Sequence, residues 1–358
     1  MPSKVYFISL NENDPPESAN EKLKYLLEQS ALFDFVPAGV CAVVKMHFGE
    51  DGNTGFVKPH FLKIIIQALK EKGAQPFLSD TNTLYSGRRT NCADHLALAY
   101  EHGFTQTATG AKVIIPDDRD KDCAKSVKID GKIFKQVSLA GIYLDTSVFI
   151  GVAHFKGHIV TGFGGALKNI GMGSATRKGK LAQHSELAPV VIWENCTGCA
   201  ACSKICPAQA INIVNKKSVI DQAKCIGCAS CIAVCKFRAL DVNWGSGADL
   251  LQEKMIEHAA GVLKDKKGKS VFINFATKIT KECDCIAKDD ARICPDIGIF
   301  ASTDPVSVDQ ACLDAVIKKC GRDIFKQLHP QRDGLKQLKH AVDLNLGSRD
   351  YELINYEK

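Results

Sequence analysis

Residues 196–207 read Cys-Thr-Gly-Cys-Ala-Ala-Cys-Ser-Lys-Ile-Cys-Pro, and residues 225–236 read Cys-Ile-Gly-Cys-Ala-Ser-Cys-Ile-Ala-Val-Cys-Lys. Each run spaces four cysteines as C-x2-C-x2-C-x3-C, and each cysteine of the second run follows its counterpart by 29 residues. The flanks match as well, Ala210-Ile211 with Ala239-Leu240, so the segment is an internal duplication. Three closely spaced thiolates on one tight loop can reach three irons of a cubane. The fourth, expected at a helix start, points the other way and ligates the partner cluster. The spacing therefore predicts one [4Fe–4S] site from Cys196, Cys199, Cys202 and Cys235, and a second from Cys225, Cys228, Cys231 and Cys206. A zinc module is the alternative. Zinc ribbons use paired C-x2-C elements and do not need a fourth thiol three residues further on in both runs.

Over about residues 190–243 the chain resembles the bacterial two-cluster ferredoxins. It departs from them at Lys236, where that family usually has proline after the fourth cysteine. It departs also in charge, with six Lys or Arg against three Asp or Glu from Val190 to Asn243. Two oxidised clusters with their thiolates would bring such a segment close to neutral, which suits an internal electron path better than a diffusing carrier.

The whole chain has 358 residues, enough for roughly two domains. Apolar residues are 45% and charged residues 24%, which excludes wholesale disorder. No apolar run approaches the 18 or so residues of a membrane span. The first residues run from Tyr6-Phe7-Ile8 into Asn11-Glu12-Asn13-Asp14 without a leader's apolar core and cleavage site, so a cytoplasmic protein is expected. Net charge is +6 with no basic block, so a nucleic-acid footprint is not expected. Sixteen cysteines in a reducing compartment point to metal rather than disulfides.

On both sides of the duplication, strands and helices alternate. Strands are expected at 39–46, 75–79, 112–115, 146–153, 270–275 and 298–301, and helices at 59–72, 91–102, 250–263 and 305–319. An Asp130-Gly131 hairpin is expected at 128–133. The expected fold is an α/β, mainly parallel sheet domain, possibly in two lobes, interrupted by an inserted α+β ferredoxin-like two-cluster domain. The expected boundaries are 1–189 and 244–358 for the two parts of the α/β domain, with the insert at 190–243.

In such sheets ligands lie at the carboxyl ends of strands. Those ends carry Lys45-Met46-His47, Asp80-Thr81-Asn82, His154-Phe155-Lys156-Gly157-His158 and, further on, Cys283-Asp284-Cys285. Lys45, His47, Lys156 and His158 are the candidates to bind or protonate a substrate, although a lone histidine such as His47 is more often a satisfied core residue. Gly162 to Lys168 lacks the P-loop pattern but could form an anion-holding turn at a helix start. Cys283, Cys285 and Cys294 could hold a third iron–sulfur or other metal site, completed by water, substrate or histidine; unligated thiols are the alternative. Cys41 and Cys312 read as buried small hydrophobes.

The phrases Lys45 to Glu50, Ser79 to Tyr85, His154 to His158, Gly162 to Gly173, Pro295 to Gly298 and Asp304-Pro305-Val306 resemble the domain of unknown function 362 family. Members that join it to a ferredoxin module are usually labelled iron–sulfur centre proteins of anaerobic bacteria and archaea. The resemblance implies two clusters and a cytoplasmic, low-oxygen setting, and no particular reaction. Three readings follow. One is a ferredoxin-linked oxidoreductase acting on a small anionic substrate, with a ferredoxin as electron-donor or acceptor partner. The second is a non-enzymatic electron-transfer or assembly subunit docking a larger redox complex. The third is a redox or ligand sensor. A Rossmann nicotinamide site, a Ser/His/Asp hydrolase and a radical S-adenosylmethionine enzyme each lack their motif.

Overall fold

The computed structural model describes residues 2–85, 87–116, 123–185, 188–244 and 250–357. Its centre is an eight-stranded sheet in the order Tyr351–Tyr356, Ser3–Ser9, Gly298–Ser302, Ser270–Ala276, Val148–His154, Cys41–Lys45, Gln75–Ser79 and Val113–Ile114. Only strand 298–302 runs against its neighbours; the other adjacent pairs are parallel. The fold is thus mixed α/β with a large, mainly parallel sheet. Strands 148–154 and 270–276 are buried at every position, as expected for a sheet covered on both faces.

Two apolar cores flank the sheet. On one face lie helices Pro16–Ser30 and Pro59–Glu71, and the latter turns Phe61, Leu62, Ile65, Ile66 and Leu69 inward. Its sequence sets both ends: Pro59 stands at the first turn and Gly73 follows the last at φ +81°. On the other face, helices Leu251–Leu263, Pro305–Cys320 and Leu335–Asp343 cover the sheet. The expected parallel strands and long helices are present within a residue or two at each end.

Two expectations change, and one strand pairing is unexpected. The hairpin forms between Ala124–Lys128 and Gln136–Ala140, with a long loop in place of a two-residue Asp-Gly turn. The cause is Glu257, whose carboxylate accepts N–H bonds from Ile133 and Phe134 at 2.8 and 2.6 Å and holds the loop open. Cys41 is exposed at the start of its strand, whereas Cys312 is buried. The terminal segments Ser3–Ser9 and Tyr351–Tyr356 are strands paired with each other, a long-range contact that local pattern does not announce.

Between Val190 and Trp244 two small hairpin-like pairs form, Ile211–Val214 with Lys217–Ile220 and Val190–Val191 with Leu240–Asp241. Short helices Ala201–Ile205 and Ser230–Val234 carry the cysteine runs. A separate apolar cluster of Cys202, Ile211, Ala229, Cys231, Ile232, Leu240 and Val242 takes in Leu84 and Leu181 from the body, which seats this segment against the sheet domain. Among the described residues, no helix is long and apolar enough to cross a membrane.

Candidate functional site

The carboxyl ends of four adjacent strands, 270–276, 148–154, 41–45 and 75–79, open on one cleft of about 930 Å³. Lys45 ends its strand fully buried, and all three of its protons are committed. They go to the Met46 carbonyl at 2.9 Å, Asn169 Oδ1 at 2.8 Å and Asp80 Oδ1 at 3.0 Å. Burial opposes ionisation of Asp80, but the Lys45 and Arg89 charges beside it hold its carboxyl well below the usual range. Lys45 is thereby a buried anchor of the site whose protons are turned inward.

His47 differs. Its Nδ1 accepts the Gly49 N–H at 2.9 Å, so the neutral ring carries its proton on Nε2. That Nε2 is buried without a hydrogen-bond partner, and the residue lines the cleft. Burial, followed by the Arg89 charge, pushes its pKa well below the ordinary value and keeps the ring neutral. His47 therefore brings an unpaired N–H donor to the wall of the cleft.

His154 and Lys156 meet one carboxylate. Asp284, 1% exposed, lies 2.9 Å from His154 Nδ1 and 3.1 Å from Lys156 Nζ. Lys156 also donates to the His154 carbonyl at 2.9 Å. Beyond them, His158 Nδ1 accepts backbone N–H bonds from Val160 and Thr161 at 3.2 and 3.1 Å. The sulfurs of Cys283 and Cys285 and a ring nitrogen of His158 all lie within 4.8 Å of one another, a spacing at which one metal ion could be held. Lys168 Nζ is 3.4 Å from Cys283 Sγ. Cys294 does not join this group. Its sulfur lies 3.0 Å from that of Cys320, at the end of helix 305–320.

Arg89 and Tyr85 close the far wall. Arg89 Nε donates to Glu50 at 2.9 Å, and Tyr85 Oη donates to the Cys285 carbonyl at 2.8 Å. Arg88 instead pairs with Glu101 at the surface. The turn at Gly162 to Lys168 holds no anion-binding nest. The N–H groups of Ala166 and Leu167 that would make it are bound to Asp309 Oδ1 and Oδ2 at 2.7 and 3.0 Å. Asp284 and Asp309 carry much of this architecture, and sequence gave neither a role. The only signal for Asp284 is its place between two cysteines at a strand end.

The cysteine-rich segment contributes Ala233, Cys235, Lys236, Arg238 and Trp244 to the same cleft. Within it, the duplication extends to the backbone: Gly198 and Gly227 have φ of +69° and +66°, and Ala200 and Ala229 have φ of 62° and 55°. Cys206 and Cys235 follow their short helices at the C-terminal end, which corrects the expectation that they start them. Each accepts an N–H bond at 3.3 Å, Cys206 from Ala210 and Cys235 from Ala239. Two small cavities lie here. One is lined by Cys196, Cys199, Cys202 and Cys235, the other by Cys225, Cys228, Cys231 and Cys206. Each is a four-thiol pocket formed by three cysteines of one run and the fourth of the other, the donor set of a soft metal centre.

The domain of unknown function (DUF362) family model matches residues 42–314, most of the chain and both halves of the cleft. The chain belongs to the DUF362 family. No curated protein matches this DUF362 chain. Two solved structures are similar to it at low identity. The lactate racemase apoprotein of Thermoanaerobacterium thermosaccharolyticum is 11% identical with a TM-score of 0.41, over 75% of this chain and 50% of that one. A Thermotoga maritima protein, a Northeast Structural Genomics Consortium target, is 13% identical with a TM-score of 0.43, over 90% of this chain and 61% of that one. The DUF362 chain thus spans about half to three-fifths of the length of these two structures.

Proposed function

We propose that this DUF362 protein is an iron–sulfur electron-transfer enzyme, a ferredoxin-linked oxidoreductase that delivers electrons to a small anion bound in the cleft. The proposal includes a ferredoxin-like two-cluster module at 190–243, with Cys196, Cys199, Cys202 and Cys235 holding one [4Fe–4S] cluster and Cys225, Cys228, Cys231 and Cys206 the other. The fit is carried by the two four-thiol cavities and by the N–H bonds to Cys206 and Cys235, since amides aimed at sulfur are one of the means by which a protein tunes such a centre. When bound, the clusters supply one-electron transfer.

One observation carries the enzyme reading above the alternatives. Cys235, a cluster cysteine in this proposal, lines the same cleft as His47, Lys156, His158 and Lys168. In this reading an electron centre and a cation-lined pocket with N–H donors share a wall. A subunit that only relays electrons to another protein has no use for that cleft. Lys156, Lys168, Lys180, Lys236, Arg89 and Arg238 outnumber the acidic groups on its walls, so a negatively charged substrate is drawn in. Lys168 and Lys156 bind it, and His47 donates a hydrogen bond through Nε2–H.

The test has two parts. Anaerobically purified protein is expected to contain about eight irons and as many sulfides per chain. Protein reduced by a low-potential donor is then mixed with small carboxylate, phosphate and disulfide anions. Re-oxidation that accelerates with one class of anion supports the reading. Full iron content with re-oxidation indifferent to every small molecule would leave an electron carrier only.

A further inference from the structure

We propose that Cys283 and Cys285 form a dithiol–disulfide couple on the cleft wall, which gathers two electrons and passes them to a small anionic disulfide. This rests on the electron-transfer reading of the cleft and names its terminal acceptor.

The geometry comes first. The Ile286 N–H bonds the Cys283 carbonyl at 3.0 Å, so the two cysteines occupy the first and third positions of one β-turn. Asp284 between them is turned into the His154–Lys156 pair. Their sulfurs remain close together, within 4.8 Å of each other. Cys283 is buried and Cys285 lines the cleft, an arrangement in which one thiol is reached from outside and the other resolves. Lys168, 3.4 Å from Cys283, supplies the positive charge that a thiolate needs in a buried place. The hydrogen bond from Cys285 lowers the Cys283 thiol well below its ordinary value; burial opposes this, and Lys168 and Lys156 add to it.

A metal fits less well. A ligating imidazole gives its second N–H to an acceptor, which fixes the tautomer. His158 shows the reverse, because its Nδ1 faces two backbone N–H donors. The neutral ring therefore carries its proton on Nε2, where a metal would need a lone pair. With His158 holding that proton and Cys294 placed against Cys320, two thiols remain, short of the four ligands of a closed site. The same Nε2–H is a hydrogen-bond donor for a departing thiolate.

The step balances as thiol–disulfide exchange. Cys285, on the cleft wall, passes its proton to the Cys283 thiolate and attacks one sulfur of the anionic disulfide, displacing half of it as a thiolate. Cys283 loses that proton, attacks Cys285 Sγ and releases the other half. The two product thiols take the proton that Cys285 carried and one from solvent. The enzyme is left with a Cys283–Cys285 disulfide. Two electrons from an external low-potential one-electron carrier, together with one proton, restore the thiolate and thiol; clusters held by the eight cysteines of 190–243 would supply the one-electron relay.

The experiment uses the full anaerobic protein carrying Cys320→Ser, which silences the neighbouring Cys294–Cys320 pair. The protein is oxidised with oxidised glutathione and titrated with reduced methyl viologen. About four electrons per chain are expected, falling to about two when Cys285→Ser is added, with iron near eight in both. Mass-tagged alkylation should find Cys283 and Cys285 blocked after oxidation and open after titration. Uptake of about two electrons in the parent protein, with both thiols alkylated throughout, overturns the proposal. So does a tightly held extra metal ion that disappears with Cys285→Ser. Absence of iron with a titrating Cys283–Cys285 disulfide would sink the cluster reading and leave this one standing.

Discussion

Replacing Cys235 with alanine separates crossed from local cluster ligation. The cavity that Cys235 lines is shared with Cys196, Cys199 and Cys202, which stand 33 to 39 residues before it, and not with its sequence neighbours Cys225, Cys228 and Cys231. Losing one of four thiolates from a cubane removes about four of the eight expected irons. The structure then dictates which thiols become reactive: Cys196, Cys199 and Cys202 should alkylate under native anaerobic conditions, while Cys225, Cys228, Cys231 and Cys206 stay protected. Cys206→Ala should give the mirror result. Because Cys235 lies in the cleft wall and Cys206 does not, the first variant should lose substrate-dependent re-oxidation at least tenfold more completely than the second. The assay is an iron count followed by mass spectrometry of the tagged peptides. Alkylation of Cys225, Cys228 and Cys231 in Cys235→Ala would refute the crossed assignment, and undiminished iron would refute cluster ligation by Cys235.

Asp284→Asn leaves His154 and Lys156 facing each other in a buried site without their carboxylate, so stability should fall by about 3–5 kcal/mol in anaerobic urea unfolding. A loss under about 1 kcal/mol would show that water reaches the pair. Burial pushes the Asp309 carboxyl up to about 6 from 3.8. This group's contribution is therefore fully present below about pH 4 and lost as pH rises through 6, about 3 kcal/mol in all. Asp309→Asn should remove that slope from the difference between the two proteins' pH–stability curves, and parallel curves would contradict it. A methyl group on Gly157 would stand 2.2 Å from the Lys281 carbonyl, so Gly157→Ala should push the 280s loop off the 156–158 strand. The expected cost is about 1–3 kcal/mol with faster alkylation of Cys283; unchanged alkylation would show that the loop holds by other contacts.

The parallel strands were legible because burial on both faces leaves continuous apolar runs such as Ser270–Ala276, and the helices because Pro and Gly mark their ends. The cleft was legible only as a set of strand ends. That Lys45 turns its protons inward to Asn169 and Asp80 depends on contacts across 124 and 35 residues, which no local pattern encodes. The same holds for Asp309, which fills a helix start 143 residues away and so removes the anion nest that the glycines suggested. Cys294 was grouped with Cys283 and Cys285 by sequence proximity, yet the strand that follows it and helix 305–320 place it beside Cys320. Sequence spacing reports ligand sets where one loop must wrap one centre, and fails where an ordinary loop merely passes near another.

The position of the cysteine-rich segment follows from the sheet. Strands 148–154 and 270–276 are adjacent and parallel, so the chain between them must cross from the carboxyl edge back to the amino edge. Helix Leu251–Leu263, packed along the sheet face, makes that return. Residues 190–244, which precede that helix, are therefore left on the carboxyl side, where the strand ends gather their charged groups. An insertion at this point of the crossover arrives beside the cleft without any further element to aim it, and Leu84 and Leu181 need only seat it. The same segment spliced into the loop before strand 41–45 would emerge at the opposite edge. A chain so rearranged should keep its thiol pockets and its iron while losing every effect of cleft anions on re-oxidation.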